Sequence, residues 1–367
     1  MKNQIKDKIL VVLFGALLLG LSVFNLLTPE RGFSQRENRF LEKQPEFSLE
    51  SLIKGEFSEK FQKYTSDQFI SRDRWISLKT RMDLAILKQD NGRVYFGEDD
   101  FLFDLEAPLD GARFIKNMKK INSFKKETDL PLDLMLVPTK TTVYGDKLPA
   151  RAPTIDEKEL LKDIEAKLDS SINLVDLIEV LTSKNSQKLY YKTDHHYTSL
   201  GAYYSYAQYM DHLDLKPYSL DYFKREVVSD EFLGSQFRKS SYYRGKSEEI
   251  ERFIPREDTV KEIIKNQEEK SSSLYDEKFL KKSDKYSFFL GGDDAVVDIT
   301  TSAEEGGTLL VVKDSFANSM IPFLSLHFSR IIVIDERYFN IPLKDYIEDL
   351  EIDRVLFLKN IRTFYDG

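Results

Sequence analysis

The sequence predicts an α/β domain with a mainly parallel sheet flanked by helices, tethered by an N-terminal transmembrane helix and interrupted by a charged insertion. Three observations predict it: an uncharged apolar run at Ile9 to Leu27, alternating helix-period and short apolar strand-like runs from Ala112 onward, and a charge-dense stretch from Pro217 to Lys285. Of the 367 residues, 41% are hydrophobic and 32% charged, enough apolar material for one large domain or two small ones.

The run Ile9 to Leu27 is long enough to cross the hydrocarbon core, and Lys2, Lys6 and Lys8 precede it. The basic flank predicts a cytoplasmic N-terminus, with everything after Thr28 outside the membrane. A cleaved signal peptide is the competing reading, but no small-x-small site follows the run. Residues 1–8 then form a cytoplasmic tail, 9–27 the anchor, 28–60 a polar stalk, and 61–367 the α/β domain with its insertion near 217–285.

From Phe57 to Lys88, apolar residues at helical spacing (Phe61, Tyr64, Phe69, Trp75, Leu78, Met82, Ile86) predict one or two amphipathic helices. Arg93 to Asp104 reads as two short strands joined by a Gly-Glu-Asp-Asp turn. Ala112 to Glu127 is helical, Leu132 to Pro138 a buried strand, Ile155 to Leu168 helical and Ile172 to Val175 a strand. Leu189 to Lys192 is extended, and Thr198 caps a helix over Ser199 to Leu213. Beyond the insertion, strands are expected at Tyr286 to Leu290, Thr308 to Val312, Arg330 to Ile334 and Arg354 to Leu358. Helices are expected at Met320 to His327 and Ile341 to Leu350.

Charge and composition exclude several classes of function. The net charge of −8 and the interspersed Lys and Arg give no electrostatic footprint for nucleic acid. With no Cys there is no thiolate nucleophile, disulfide or zinc-thiolate site, so a nucleophile must be oxygen or nitrogen.

Two segments carry chemistry. Thr308 to Ile321 is an apolar strand, a polar turn holding Ser315, and a helix start. A Ser at the carboxyl end of a buried strand projects from the sheet edge, and the following helix offers free N–H groups near Ser315 and Phe316 to an oxyanion. The plain alternative is that Ser315 only caps the helix. In Lys192-Thr-Asp-His-His-Tyr-Thr-Ser199, an extended chain would place Asp194 and His196 on one face and His195 on the other. Asp194 can then accept the Nδ1–H of His196 and leave Nε2 free to take a hydroxyl proton. A structural histidine, or a metal site from Asp194 and the two imidazoles, are the alternatives; the chain has no His-Glu-x-x-His to support the latter. If the helix after Ser315 ran that far, His327 would sit about 18 Å along its axis, out of reach.

Asp-His-His-Tyr-Thr at 194–198, with Val-Lys-Asp-Ser-Phe-Ala-Asn at 312–318, resembles the DHHW family, which often has Trp where this chain has Tyr197. Weaker matching stretches are Arg-Glu-Asn-Arg at 36–39, Asp67 to Arg72, Gly97 to Phe103, Val137 to Lys140 with Tyr144 and Leu148-Pro149, Phe289 to Gly292, and Asp335 to Tyr338. The resemblance implies an SGNH-hydrolase-like fold related to the alginate O-acetylation proteins, in which Asp194, His196 and Ser315 form the triad. It also implies O-acetylation of an exopolysaccharide, often beside a multi-spanning membrane acyltransferase that supplies the acyl group. No cofactor or metal is implied. Lys140, Tyr144, Tyr197, Arg337 and Tyr338 lie where strands end or loops begin and are candidate glycan contacts. A carbohydrate esterase, or a catalytically silent polysaccharide-binding or assembly subunit, are the rival readings.

Overall fold

The computed structural model describes residues 2–34, 36–304 and 306–366, which divide into two compact units, Met1–Lys88 and Gln89–Gly367. The first opens with the helix Lys2–Leu27. Its stretch Ile5–Leu27 is 23 residues and apolar enough to cross a membrane. At 1.5 Å per residue it spans about 34 Å, consistent with single-pass anchoring.

Beyond the anchor, strands β1 (Phe33–Ser34) and β2 (Arg39–Phe40) pair antiparallel, followed by helices Leu49–Ile53, Glu56–Gln68 and Arg72–Ala85. An ionic cluster ties these pieces together. The buried carboxylate of Asp67 accepts two hydrogen bonds from Arg39, at 2.8 and 2.5 Å, and one from the amide of Glu42. Arg72, also buried, donates to Glu37 at 3.1 Å. The Arg-Glu-Asn-Arg and Asp67-to-Arg72 stretches are thus two halves of one contact. The helices over 56–85 form as their spacing predicts, but Trp75 is 50% and Ile86 76% exposed, so helical period did not translate into burial there.

The second unit begins with the hairpin β3 (Val94–Phe96) and β4 (Leu102–Asp104). Then come β5 (Leu132–Val137), β6 (Ile172–Asp176), the antiparallel ribbon β7 (Phe223–Phe232) and β8 (Glu248–Pro255), and β9 (Val260–Lys265) and β10 (Glu269–Ser271). The last four are β11 (Val296–Thr301), β12 (Thr308–Lys313), β13 (Arg330–Asp335) and β14 (Arg354–Asn360). Among the described residues, eight strands make one sheet in the order β10-β9-β11-β13-β12-β14-β5-β6. From β13 to β6 the pairing is parallel; β11, β9 and β10 extend one edge antiparallel.

Both faces of the sheet are covered, which is why its parallel strands read as unbroken apolar runs rather than alternating ones. Leu309 and Val311 of β12 pack with Tyr206 and Tyr209 of the helix Ser199–His212. Leu310 and Val312 pack on the opposite face with the helices Gly111–Thr128, Glu157–Glu165 and Ile361–Asp366. The chain reaches β13 on one side of β12 and β14 on the other, so a crevice opens beyond the carboxyl end of β12. Ser315 lies there.

Four local expectations differ from what the structure shows. Tyr286 to Leu290 is not a strand but a 3₁₀ turn, Tyr286–Phe288, whose aromatic residues fill a separate cluster with Tyr191, Phe232 and Ile250. Consecutive apolar residues signalled burial, not extension. The helix expected at Met320 to His327 shrinks to Ile321–Leu324, with Pro322 in its first turn, after a 3₁₀ turn Ser315–Ser319. Leu189 to Lys192 makes only the isolated bridge Tyr190 to Tyr197. The stretch 217–285 contributes β7, β8 and two strands of the main sheet, because Phe223, Phe232, Ile250, Phe253 and Ile263 are buried among its many exposed charges.

Candidate active site

Asp314 builds the Ser315 turn. Its Oδ1 accepts the Phe316 N–H at 2.9 Å, and its Oδ2 accepts the Asn360 N–H, at the end of β14, at 2.7 Å. The turn is therefore stapled to the neighbouring strand. Ser315 is partly exposed while Phe316 to Ser319 are buried. Beneath it, buried Lys313 donates to Asp293 at 2.6 Å and lies 3.2 Å from Asp335, and Asn318 donates to the Gly292 carbonyl and to Asp293. Burial opposes ionisation of Asp293, but Lys313 and then Arg337 hold it down to about 2. Leu290, Gly291 and Gly292 all have positive φ (59°, 78° and 98°), a strained run at Leu290 that the Lys265 ammonium braces by donating to its carbonyl at 2.6 Å.

The histidine segment closes on itself instead of running extended. Thr198 N–H donates to the Leu189 carbonyl at 2.8 Å, and Tyr191 N–H to the His196 carbonyl at 3.2 Å. Thr198 then caps the next helix as expected, its hydroxyl accepting from Gly201. Because the loop is closed, strand alternation fails and His195 does not point away: its ring centroid is 3.9 Å from that of His196. Asp194 and His196 do pair, Oδ1 to Nδ1 at 2.6 Å, with the His196 N–H also on Oδ1 at 3.0 Å. The Ser235 amide donates to the second oxygen of Asp194 at 2.6 Å. His196 Nε2 lies 2.8 Å from Ser315 Oγ, across 119 residues of sequence. Asp194, His196 and Ser315 are thus one hydrogen-bonded line ending at the partly exposed residue. Burial works against ionised Asp194, but the two imidazoles and the bonds from His196 and Ser235 outweigh it and hold the carboxyl well below the usual range.

The expected glycan contacts divide. Lys140 is buried, and its ammonium donates to the carbonyls of Tyr191, Lys192 and Asp194 and to the Gln236 amide oxygen, so it clamps the histidine loop rather than facing a ligand. Tyr144 is buried too: its hydroxyl donates to Gln187 and accepts from Leu189, beneath that loop. The Tyr197 hydroxyl donates to the Phe316 carbonyl at 2.7 Å, joining the two halves of the site. Arg337 is half exposed but paired with Asp335 and Asp293, and Tyr338 is exposed beside it. The N–H expected to serve an oxyanion at Phe316 is already bound by Asp314.

Residues that sequence reasoning passed over hold the site as well. Glu248 of β8 accepts from the amides of Lys192 and Thr193 at 2.8 Å each. Tyr286 stacks on the His196 ring, centroids 3.8 Å apart and 8° from parallel. Gly234 approaches Asp194 so closely that a Cβ there would lie 2.2 Å from Asp194 Cβ and 2.3 Å from its Oδ2. Gly234→Ala is therefore expected to push Asp194 off the imidazole and lower kcat by about 10²-fold, since a displacement of about 1 Å has that effect. Steady-state kinetics with an activated ester would check it; kcat unchanged would mean that Asp194 need not stay where it is.

Asp194, His195 and His196 could also present ligand atoms within 4.8 Å of one another to a metal ion. Both ring nitrogens of His196 are committed, however, and His195 Nδ1 lies 2.8 Å from Ser235 Oγ. An ion would have to break the contact with Asp194 or with Ser315.

The model of the DHHW protein family matches residues 112–334. A DHHW family protein from Eubacterium siraeum is similar in structure, with a TM-score of 0.64 at 24% identity over 75% of this chain and 96% of its own. Bacillus cereus PatB1, solved with a sulfonyl adduct, aligns with a TM-score of 0.63 at 22% identity over 75% of this chain and 98% of its own. No curated protein matches the chain. Both structural likenesses bear out the expected α/β fold with its mostly parallel sheet.

Proposed function

This chain belongs to the DHHW family, and we propose that it is a membrane-anchored O-acyltransferase, acetyl being the first candidate group, that acts outside the cytoplasm on a cell-surface or secreted polysaccharide. The observation that carries this reading is the line from Asp194 through His196 to Ser315, at 2.6 and 2.8 Å, with Ser315 reachable from solvent. Lys2, Lys6 and Lys8, at the start of the helix Lys2–Leu27 and ahead of its uncharged run Ile9 to Leu27, support the placement of the rest of the chain outside.

In the first half-reaction, Ser315 Oγ attacks the carbonyl carbon of an acyl donor while His196 Nε2 takes the hydroxyl proton, and Asp194 stabilises the imidazolium. The C–O or C–S bond to the leaving group breaks, and His196 returns the proton to it. In the second half, His196 takes a proton from a sugar hydroxyl, which attacks the acyl-serine and regenerates Ser315. With the Phe316 N–H bound to Asp314, the Ser315 N–H is the backbone donor assigned to the oxyanion. A multi-spanning membrane acyltransferase is the proposed source of the acyl group.

An esterase shares the first half-reaction and differs only in letting water attack. A transferase must hold a sugar hydroxyl well enough to outcompete water at roughly 55 M. The full chain in detergent, given an activated acetyl ester, is expected to hydrolyse it slowly and to divert acetyl onto added oligosaccharides, as read by mass spectrometry. Fast hydrolysis with no sugar acetylated would assign the esterase instead. No label on Ser315 from a sulfonyl fluoride would assign a silent binding subunit.

A further inference from the structure

The helix Arg72–Ala85, in the unit that carries the anchor, is built inside out. Its two buried residues are Arg72 and Thr80, whereas Trp75, Leu78 and Met82 are 50%, 47% and 62% exposed, and Ile86, just past its end, is 76% exposed. At about 100° per residue, Trp75, Leu78 and Met82 share about 60° of the helix surface, so they form one stripe. We propose that this stripe is a membrane-docking face, with its apolar side chains sunk at the edge of the hydrocarbon and its flanking cations on anionic lipid headgroups. This inference goes beyond the single-pass anchor and rests on it.

The inward face keeps the stripe turned out. Arg72 donates to Glu37 at 3.1 Å and lies 3.8 Å from Asp67, so rotating the helix to hide Trp75 would break buried ion pairs.

Position and charge select lipid as what covers the stripe. The amide of Ile70, two residues before the helix, donates to Asn25 Oδ1 at 2.8 Å, and Asn25 lies in the last turn of the apolar helix Lys2–Leu27. Arg31, just beyond the anchor, exchanges hydrogen bonds with the Gln68 side-chain amide at 2.9 and 3.0 Å and pairs with Asp73 at 3.3 Å. The stripe is thus fastened to the point where the chain leaves the apolar helix, since Trp75 follows Ile70 by five residues, a reach of at most about 18 Å. Exposed Arg74 and Arg81 line one edge of it and exposed Lys79 the other, and Lys88 follows. The acidic residues of the helix are held by its own and neighbouring cations, Asp73 by Arg31 and Arg72, and Asp83 by Lys79 at 2.7 Å. An apolar stripe edged by cations, with a tryptophan at the end nearer the anchor, is the chemistry of an interfacial helix on an anionic surface.

Trp75 is the only tryptophan in the chain, so its fluorescence reports this face alone. The full chain is reconstituted into vesicles of phosphatidylcholine and phosphatidylglycerol; flotation reads anchoring and emission reads docking. With the stripe sunk by about 5–10 Å, as interfacial helices are, emission should fall about twofold when the acyl chains carry bromine and should respond little to aqueous acrylamide. Leaving out phosphatidylglycerol should weaken the bromine quenching. Leu78→Glu with Met82→Glu should reverse the pattern, and Arg74→Glu with Arg81→Glu should do so in part, while both proteins still float and keep their circular dichroism. Quenching of the unsubstituted chain by acrylamide alone would overturn the docking face by showing water there, and quenching by neither agent would overturn it by showing protein there, whether a second copy or the rest of the chain. Bromine quenching that the glutamate substitutions leave unchanged would show Trp75 carried to the lipid by the anchor alone, and quenching indifferent to phosphatidylglycerol would deny the anionic headgroups their part; either result overturns the proposal. A full chain that does not float would instead remove the anchor on which it stands.

Discussion

Ser315→Ala and His196→Ala should each abolish acyl transfer, and Asp194→Asn should lower it by roughly 10⁴-fold. The first two remove the nucleophile and its base. The third keeps the shape of the site, but an amide can donate to His196 Nδ1, which favours the tautomer with its proton on Nε2 and so points a donor at Ser315. The check is kcat/KM on an activated acetyl ester, with circular dichroism to show that each variant is folded. An Asp194→Asn protein retaining more than a tenth of the rate would mean that the line of three residues is structural. A rate restored by added metal after chelation would assign Asp194, His195 and His196 to an ion.

Lys140→Met should be the most destabilising change in this region, by about 2–6 kcal/mol, since it leaves the buried carbonyls of Tyr191 and Asp194 without their charged donor, while the Lys192 carbonyl keeps the Leu102 amide. A urea titration measures this directly, and a loss of unfolding free energy below a third of that size would deny the clamp its importance. The titration of this lysine gives a second signature. Burial lowers it to about 8, against the upward pull of Glu248, Asp104 and Asp194. Because the folded value lies below the unfolded one of 10.5, the unfolded chain binds the proton more tightly between those two values, and stability rises with pH across that window. Activity should fall over the same window, since the neutral amine has two N–H donors where the ammonium has three. Opposite trends in stability and rate, both absent in Lys140→Met, distinguish this lysine from a group that only supports the fold.

The parallel strands were legible because burial on both faces leaves an unbroken apolar signature, and β5, β12, β13 and β14 fall where their runs predict. The Asp-x-His and Ser segments were legible because few other residues in a chain with four His and no Cys offer that chemistry. What stayed hidden has identifiable causes. The antiparallel strands β9 and β11 carry Lys261, Glu262 and Asp298 among their apolar residues, which breaks the apolar run that marks a buried strand. Side-chain direction at His195 depended on whether the loop was open or closed, which a bridge between Tyr190 and Tyr197 decides. Lys140 and Tyr197 looked like ligand contacts because loop-end polar residues often are; their partners are backbone carbonyls distant in sequence.

The place of β14 in the sheet bears on when activity can appear. This strand is synthesised after every other strand of the sheet, yet it sits between β12 and β5, and its Asn360 amide fastens Asp314 at the foot of the Ser315 turn. Until β14 inserts, the Ser315 turn lacks one of its anchors, although Tyr286, the last residue packed on His196, was synthesised about 75 residues earlier, at vectorial synthesis rates of about 5–20 residues per second. Closing so many long-range pairings is slow relative to local structure. A chain folding as it is made would therefore pass through a stage in which Asp194 and His196 can pair while Ser315 is not yet held, and the line of three residues would be complete only with the final strand.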